Sequence, residues 1–330
     1  LYWPSVASLP ASQSCQASAC MATCSRRGPA VPTLPTTLGS LKLASDQDRS
    51  PYARVLAEEA LVRLALALGP HIGNVVIIGG LNPSFLTAQP PVPHLGTTDV
   101  DVLLEVGFAF DRDEMDFAWL ETGLQSAGFE PNPTGVQPWR WYVRLDGLLV
   151  KLDLLCDAYD SPGQELALPG CRTVVAQNLK GPRPALLDSV ERSLAVSIEL
   201  RAKFPNAPEL VAVRFAGLGG YVMSKAAAAV MRGEPKDFYD LAFVLLYNRE
   251  GGPEGAARAV DRLMRLDVNV AFESQVPAAL NLFTNPSDRP AQIFAEQMQR
   301  SGDQTDLEIL AQDAVGAAMK CKESLVTLRS

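Results

Sequence analysis

The chain has 330 residues, of which 47% are hydrophobic and 20% are charged, a composition typical of a globular protein with one large domain or two smaller ones. Its formal net charge of −8 argues against a protein that grips nucleic acid over its whole surface, because such proteins usually carry a basic balance. The acidic balance favours a small-molecule or nucleotide substrate, or a basic protein partner. No apolar run reaches the roughly 18 residues that cross a bilayer, so we expect a cytoplasmic protein with no membrane partner.

The cysteines and histidines limit the metal chemistry that the chain can support. Two histidines exclude a His-rich zinc site, and Cys15, Cys20 and Cys24 are irregularly spaced with no fourth ligand nearby. We therefore expect free thiols in a reducing cytoplasm. Residues 1–48 are rich in Ser, Ala, Pro and Thr and carry no secretory signal, so they are predicted to be disordered, with Met21 as a candidate natural start.

The chain from residue 49 to residue 180 is predicted to form a small mixed sheet with helices against it. Amphipathic spacing indicates the helices, and short β-branched runs that end in Gly or Pro indicate the strands. The predicted elements are helix Tyr52–Leu68, strand Asn74–Gly80, at most a short helix after Leu81, strand Thr97–Val106, helix Asp111–Ala127 and a hairpin over Trp139–Asp157. The hairpin turns at Asp146-Gly147, a pair that favours a two-residue type I′ turn.

After Lys180 the predicted elements are all helices. They are Leu186–Lys203, Leu218–Arg232, Lys236–Tyr247, Pro253–Leu266 and Asp306–Leu328. The sequence therefore predicts an α+β fold, with an α/β core over residues 49–180 and a helical domain over residues 181–330.

Three aspartates on the predicted strands form a candidate site. Asp99 and Asp101 lie two apart on one strand, so their side chains point to the same face. Asp153 lies inside the apolar run LLVKLDLL, where an unpaired charge is costly. Carboxylates on a rigid strand suit Mg²⁺, and three of them can hold two ions. Gly79 and Gly80, which end the preceding strand, allow backbone amides to approach a phosphate.

Structural roles for the same residues stay open. With a two-residue turn, counting back along the hairpin places Arg140 opposite Asp153, at about 5 Å, as a salt-bridge partner. An Asp-x-Asp pair is also common on exposed sheet edges. Lys225 could instead lie on a solvated helix face. Asp237 could instead complement the dipole at the start of a helix.

The order of these motifs resembles the nucleotidyltransferase superfamily with the polymerase-β-like fold. VVIIGGL followed by TTDVDVLL is similar to that family's glycine turn and Asp-x-Asp strand, and VKLDLL is similar to its third-aspartate strand. The segment Tyr221–Leu245 is similar to the helical segment of AbiEii-type toxin nucleotidyltransferases. The positions that match its recurring residues are Lys225, Arg232, Lys236, Asp237, Asp240 and Leu241. The resemblance covers roughly residues 70–250.

The resemblance implies a transferase that moves a nucleoside monophosphate from a nucleoside triphosphate to an acceptor. Asp99, Asp101 and Asp153 would bind two Mg²⁺ ions. The helical domain would complete the site with Lys225 and with Asp237, which would orient Lys225 or the substrate. The residues implied in nucleotide binding are Gly79, Gly80, Thr98, Arg140 and Lys225. Arg232 and Asp240 are interpreted as helix-end and helix-packing residues. A basic lining for a polyanionic acceptor is expected from Arg140, Arg144, Lys151 and Lys180.

The AbiEii-like interpretation implies an RNA acceptor, such as the 3′ end of tRNA, and a cognate antitoxin protein as partner. Two alternatives stay open. A small-molecule nucleotidyltransferase, such as one that modifies an aminoglycoside, suits the acidic net charge. A non-catalytic member would keep the fold as a binding module, although the presence of all three aspartates and Lys225 argues against it.

Overall fold

The computed structural model describes residues 49–106, 114–158, 163–266 and 274–330. The predictions for residues 1–48, among them the start at Met21 and the N-terminal thiols, lie outside the described residues. The cysteines within the described ranges are free, as predicted: Cys156, Cys171 and Cys321. Every helix in these ranges is too short or too polar to span a bilayer.

Nine strands of the described chain form one mixed sheet. They are β1 (Val75–Ile78), β2 (Asp99–Leu104), β3 (Glu130–Pro131), β4 (Arg140–Leu145), β5 (Leu148–Cys156), β6 (Glu165–Ala167), β7 (Val175–Asn178), β8 (Ser189–Ala195) and β9 (Leu210–Ala216). The order across the sheet is β3-β4-β5-β2-β1-β9-β8, with β7 paired to β5 and β6 paired to β7. Parallel pairs, such as β2 with β5 and β1 with β9, mix with antiparallel ones. The predicted α+β class is confirmed.

The helices precede, separate and follow the strands. Within the described ranges they are α1 (Pro51–Leu68), α2 (Pro83–Leu86), α3 (Ala118–Ser126), α4 (Pro184–Leu187), α5 (Ile198–Lys203), α6 (Leu218–Met231), α7 (Pro235–Tyr247), α8 (Gly252–Leu266), α9 (Gln275–Leu280), α10 (Arg289–Arg300) and α11 (Leu307–Arg329), with a 3₁₀ turn at Gly69–Asn74. After β9 the described elements are all helical, whereas the sequence predicted only helices from residue 181 onward; the strands β8 and β9 lie beyond that boundary.

The sheet is covered on both faces, because the side chains of its central strands alternate between two apolar clusters. In β1, Val76 and Ile78 pack with residues of α6–α11, whereas Val75 and Ile77 pack with residues of α1 and α3. Continuous apolar strands are expected where both faces of a sheet are buried. The face that packs against α6–α11 is called the helical face below.

The first predicted helix has the terminal residues that its position requires. The hydroxyl of Ser50 accepts a hydrogen bond from the N–H of Ala53 (3.1 Å), and Pro51 occupies the first turn, where its missing N–H costs nothing. The helix ends before Gly69, which has a φ of 54°. The predicted helix over residues 52–68 is therefore confirmed.

The predicted hairpin is confirmed down to its register. Asp146 and Gly147 have φ values of 45° and 79°, and a type I′ turn requires positive φ at both positions. Counting from this turn pairs Arg140 with Asp153, as the sequence predicts. The two strands of the hairpin thus bring a guanidinium and a carboxylate face to face.

The helix predicted over Leu186–Lys203 is wrong. This stretch contains β8, which pairs antiparallel with β9, and only then the short helix α5. Val190 and Leu194 lie four apart, a spacing that fits one face of a helix and also one face of a strand, so periodicity does not separate the two. Other elements without a counterpart among the predicted ones are β3, β6, β7, β9, α9 and α10.

The helix predicted from Asp111 begins later in the structure. Residues 107–113 lie outside the described part, residues 114–117 are not helical, and α3 begins at Ala118. The carboxylate of Asp116 accepts a hydrogen bond from the N–H of Ala118 (2.9 Å), which supplies a partner to the first turn at that point.

A pair of truncations tests the packing of β8. Leu194→Ala is expected to lower the free energy of unfolding by about 2–4 kcal/mol, because the Leu194 side chain is only 2% exposed. Val190→Ala removes apolar atoms from a side chain that is 40% exposed, and is expected to cost less than about 1 kcal/mol. Urea denaturation of both variants measures the difference, and equal losses would contradict this packing.

Candidate active site

The parallel pairing of β2 with β5 brings the three predicted aspartates onto one face of the sheet. Asp101 is the register partner of Asp153, and Asp99 that of Lys151. Alternate residues of a strand share a face, and Leu103, two residues after Asp101, packs in the cluster of the helical face. The three carboxylates therefore project toward the side of the sheet that α6 and α7 cover.

The glycine pair makes room for one of these carboxylates. Gly79 has a φ of 85°, and a Cβ at this position would overlap the carboxylate of Asp101. At Gly80 a Cβ would lie 2.5 Å from the Cβ of Thr97. Both positions therefore exclude larger side chains, and the backbone after β1 lies directly against the Asp-x-Asp strand.

Asp101 carries the least compensated charge of the three. Within the described chain, its carboxylate makes no hydrogen bond and no ion pair. Burial and the neighbouring charges of Asp153 and Asp99 raise the pKa of Asp101 to about 6. Like charges on adjacent strands thus repel each other at the centre of the site.

Asp99 has the opposite balance. Burial alone would raise its pKa, but Lys151 and Lys236, whose Nζ atoms lie 3.4 and 3.8 Å from the carboxylate, outweigh it and hold the pKa of Asp99 below its usual value. The hydroxyl of Thr98 also donates to Asp99 (3.0 Å). Asp99 is therefore ionised and flanked by two lysines, one from β5 and one from α7.

Asp153 is fully engaged by Arg140. The Nε and Nη2 atoms of Arg140 each donate to one carboxylate oxygen of Asp153, both at 2.6 Å. The salt bridge that hairpin counting predicts is thus present, and it occupies both oxygens of the third predicted metal ligand. Bidentate pairs of this kind are among the stronger charge-assisted contacts.

Two of the three aspartates are suited to bind a divalent cation. Asp99 and Asp101 offer the oxygen donors that Mg²⁺ prefers, on one face of a rigid strand. In the residues that the structure describes, no group of three or more His, Cys, Asp or Glu side chains is arranged to hold a metal ion. The three-aspartate ligand set stays a prediction, and it requires Arg140 to release Asp153.

Lys225 reaches the site from α6 and is buried, so the alternative of a solvated position for it is wrong. It is 7% exposed, and its Nζ lies 2.7 Å from Asp240 and 3.6 Å from Asp237. The predicted proximity of Asp237 to Lys225 is therefore confirmed. The main partner of Asp237 is nevertheless Arg232, which donates to both of its oxygens at 2.7 and 2.8 Å.

Asp240 is the centre of a buried ion cluster that the sequence did not predict. In addition to Lys225, its carboxylate accepts hydrogen bonds from Arg49 and His94, each at 2.9 Å. Burial alone would raise the pKa of Asp240, but Lys225 and Arg49 hold it well below its usual range. The N–H of Gly96 donates to Nδ1 of His94, so the ring proton lies on Nε2 and points to Asp240.

The same cluster fixes the loop that leads into β2. Nε of Arg49 donates to the carbonyl of Gly96 (2.7 Å), and the N–H of Leu95 donates to the hydroxyl of Tyr239 (3.0 Å). Together with His94, these contacts hold three successive loop residues against α7. The position of Asp99, three residues further on, therefore depends on α7 as well as on its own sheet.

A cavity of about 700 Å³ connects these groups. Every predicted site residue lines it except Asp237, which lies fully buried behind Lys225 and Arg232. The lining contains five acidic side chains and seven basic ones, the latter being Arg49, Arg140, Lys151, Lys180, Lys225, Arg232 and Lys236. Of the basic lining predicted from the sequence, Arg144 alone is absent; it lies exposed near the hairpin turn.

Sequence reasoning missed three cavity residues of particular interest. Arg49, Lys236 and Asp240 line the cavity, yet none of them was assigned to the site. Asp240 lies three residues after Asp237, one turn along the same helix, and that spacing was the available signal. Arg49 has no local signal, because its partner is 191 residues away.

Comparison of the chain with family models, with curated proteins and with solved structures finds no match in any of the three.

Asp101→Asn is expected to stabilise the metal-free protein at neutral pH. The Asp101 pKa is about 6 against an ordinary 3.8, so the folded state loses stability as the pH rises through this interval. The penalty is on the order of 3 kcal/mol, complete above about pH 7 and lost below about pH 3, and asparagine does not incur it. Denaturant titrations in EDTA measure the gap between variant and parent. A gap that does not shrink toward low pH would contradict the assignment.

Asp240→Asn is expected to lower the free energy of unfolding by about 3–5 kcal/mol, because Lys225 and Arg49 lose their counter-charge inside the protein. Asp261→Asn is a matched control at another buried aspartate, whose partners Arg265 and Arg329 have side chains that are 64% and 38% exposed. We expect a clearly smaller loss there, since exposed ion pairs contribute little. Urea denaturation at neutral pH compares the two, and equal losses would argue against the cluster.

Proposed function

We propose that this chain is a Mg²⁺-dependent nucleotidyltransferase that moves a nucleoside monophosphate from a nucleoside triphosphate to an acceptor. The observation that carries the proposal is one cavity shared by the Asp99–Asp101 pair, the glycine turn and the buried Lys225. Carboxylates for a cation and cations for phosphates are the two requirements of phosphoryl-type transfer, in which positioning and charge neutralisation provide most of the rate.

The charge of the cavity supports a phosphorylated ligand. Basic side chains outnumber acidic ones in its lining, seven to five, although the chain as a whole has a net charge of −8. Lys151 and Lys236 lie beside Asp99, and Lys225 and Arg232 extend the basic wall along α6. A local excess of positive charge attracts polyanions even though the chain as a whole is acidic.

Each group has a role in the proposed reaction. Mg²⁺ on Asp99 and Asp101 would neutralise charge on the triphosphate, and would relieve the repulsion that raises the pKa of Asp101. Lys225 contacts the phosphates, and Asp237 and Asp240 set the position of its ammonium group. Backbone at Gly79 and Gly80 allows the triphosphate to approach closely, because no Cβ lies in the way.

The bond changes follow from this arrangement. The acceptor oxygen bonds to the α-phosphorus, the bond from that phosphorus to the bridging oxygen breaks, and pyrophosphate leaves with the electron pair. Asp153 takes the proton of the acceptor hydroxyl. Arg140 holds both oxygens of Asp153 in the described structure, so the acceptor has to displace at least one of these contacts.

We propose an RNA end, such as the 3′ end of tRNA, as the acceptor. The side chain of Arg232 is 49% exposed at the cavity, and Lys180 also lines it, which suits a polyanionic acceptor better than a cationic aminoglycoside. The cognate antitoxin and the nucleotide contacts of Thr98 and Arg140 rest on the resemblance, and the cytoplasmic location rests on the composition; all belong to the same proposal.

Transfer of label tests this function directly. The full chain is incubated with Mg²⁺, total tRNA and each α-labelled nucleoside triphosphate in turn, and we expect label on RNA from at least one of them. Asp101→Asn is expected to reduce transfer by about 100-fold or more. Asp146→Asn is the matched control, because it makes the same change in an exposed turn where Asn-Gly is equally favoured. It should retain the parental rate.

Other outcomes separate the alternatives. Label found only on small molecules would replace the RNA acceptor with the small-molecule alternative. If neither the parent nor Asp101→Asn transfers label to any acceptor, catalysis is rejected and the binding-module alternative is supported.

A further inference from the structure

The hydroxyl of Tyr221 is a buried polar group without a partner in the described structure. Tyr221 lies in the second turn of α6 and has no exposed surface, and its Oη makes no hydrogen bond. Buried hydroxyls are usually paired, because an unpaired one destabilises the folded protein. A buried hydroxyl without a protein partner often binds a ligand or an ion.

Tyr221 belongs to the wall of the cavity. Lys225, one turn further along α6, holds its Nζ 5.9 Å from the centre of the Tyr221 ring, and both residues line the cavity. Burial, followed by the charge of Asp240, raises the pKa of Tyr221 well above its usual value. The hydroxyl therefore keeps its proton at neutral pH and is available as a hydrogen-bond donor.

Two of the three acids near Tyr221 already have other partners. Asp240 is held by Lys225, Arg49 and His94, and Arg232 occupies both oxygens of Asp237. Asp101, the remaining neighbouring acid, has no partner in the described structure and binds the cation in the proposed function. With Asp237 and Asp240 engaged and Asp101 assigned to the cation, the Tyr221 hydroxyl is suited to an acceptor that arrives with the ligand.

We propose that the Tyr221 hydroxyl donates a hydrogen bond to a phosphate oxygen of the ligand that occupies this cavity, and that the bond forms only in the liganded protein. The inference rests on the proposed function for the class of ligand, a nucleoside triphosphate. Because Tyr221 has no exposed surface, a covering side chain has to move first. Lys225 lies over the ring, so its turn from Asp240 to the phosphates would open this side of Tyr221 to the cavity.

Two tyrosine variants test whether the hydroxyl is unpaired in the empty protein. Tyr221→Phe removes it from α6, and Tyr239→Phe removes an equally buried hydroxyl from α7. Tyr239 accepts from the N–H of Leu95 at 3.0 Å and contacts Ser301 at 3.4 Å, so its loss is expected to lower the urea midpoint. Tyr221→Phe is expected to leave the midpoint unchanged or to raise it. A decrease like that of Tyr239→Phe would overturn the proposal.

Binding of the ligand provides the second measurement. Calorimetric titration of parent and Tyr221→Phe with ATP, CTP, GTP and UTP, each with Mg²⁺, gives the dissociation constant of whichever nucleotide the parent binds. We expect the variant to bind about 10-fold more weakly, since a hydrogen bond to a charged oxygen is lost. Equal dissociation constants would overturn the proposal even if the stability result agreed.

The two proposals fail in different ways. If the parent transfers label to RNA but Tyr221→Phe binds nucleotide as tightly as the parent, the role of Tyr221 is wrong and the proposed function stands. If the parent binds nucleotide, the variant binds it more weakly and no label is transferred, the role of Tyr221 stands and the proposed function is wrong. A parent that binds none of the four triphosphates overturns both.

Discussion

The buried carboxylate of Asp240 holds together the parts of the chain on which the candidate site depends. Its partners Arg49, His94 and Lys225 come from the segment just before α1, from the loop before β2 and from α6. A buried charge is tolerated only when it is paired, so these segments have to meet at one point of α7. The strand that carries Asp99 and the helix that carries Lys225 are thereby positioned by the same residue.

The three acids of the sheet, unlike Asp240, are not all neutralised by basic partners. Arg140 neutralises Asp153, and two lysines neutralise Asp99, but Asp101 keeps a raised pKa among like charges. A folded protein normally removes such repulsion by pairing or by burying a neutral residue instead. Repulsion of this kind, retained around Asp101 inside a basic cavity, is typical of binding sites. The ligand or its cation supplies the positive charge that Asp101 lacks.

Features that depend on neighbouring residues could be predicted from the sequence. The shared face of Asp99 and Asp101 follows from strand alternation, and the Arg140–Asp153 pair follows from counting back from a type I′ turn. The strand β8 could not be recognised, because its apolar spacing fits a helix equally well. The partners of Asp240 could not be predicted either, since they lie 15, 146 and 191 residues away and no local pattern encodes that pairing.

The separation of Arg49 from Asp240 also has a consequence for synthesis. The hairpin that carries Asp153 is complete when the chain reaches Cys156, whereas Asp240, the shared partner of Arg49 and His94, emerges only with α7. Domains generally fold as units, and the pairing of Arg49 with Asp240 also requires closure of a long loop. A nascent or interrupted chain that stops before α6 therefore has the three aspartates and Lys151 but lacks Lys225 and the residue that anchors the loop before β2.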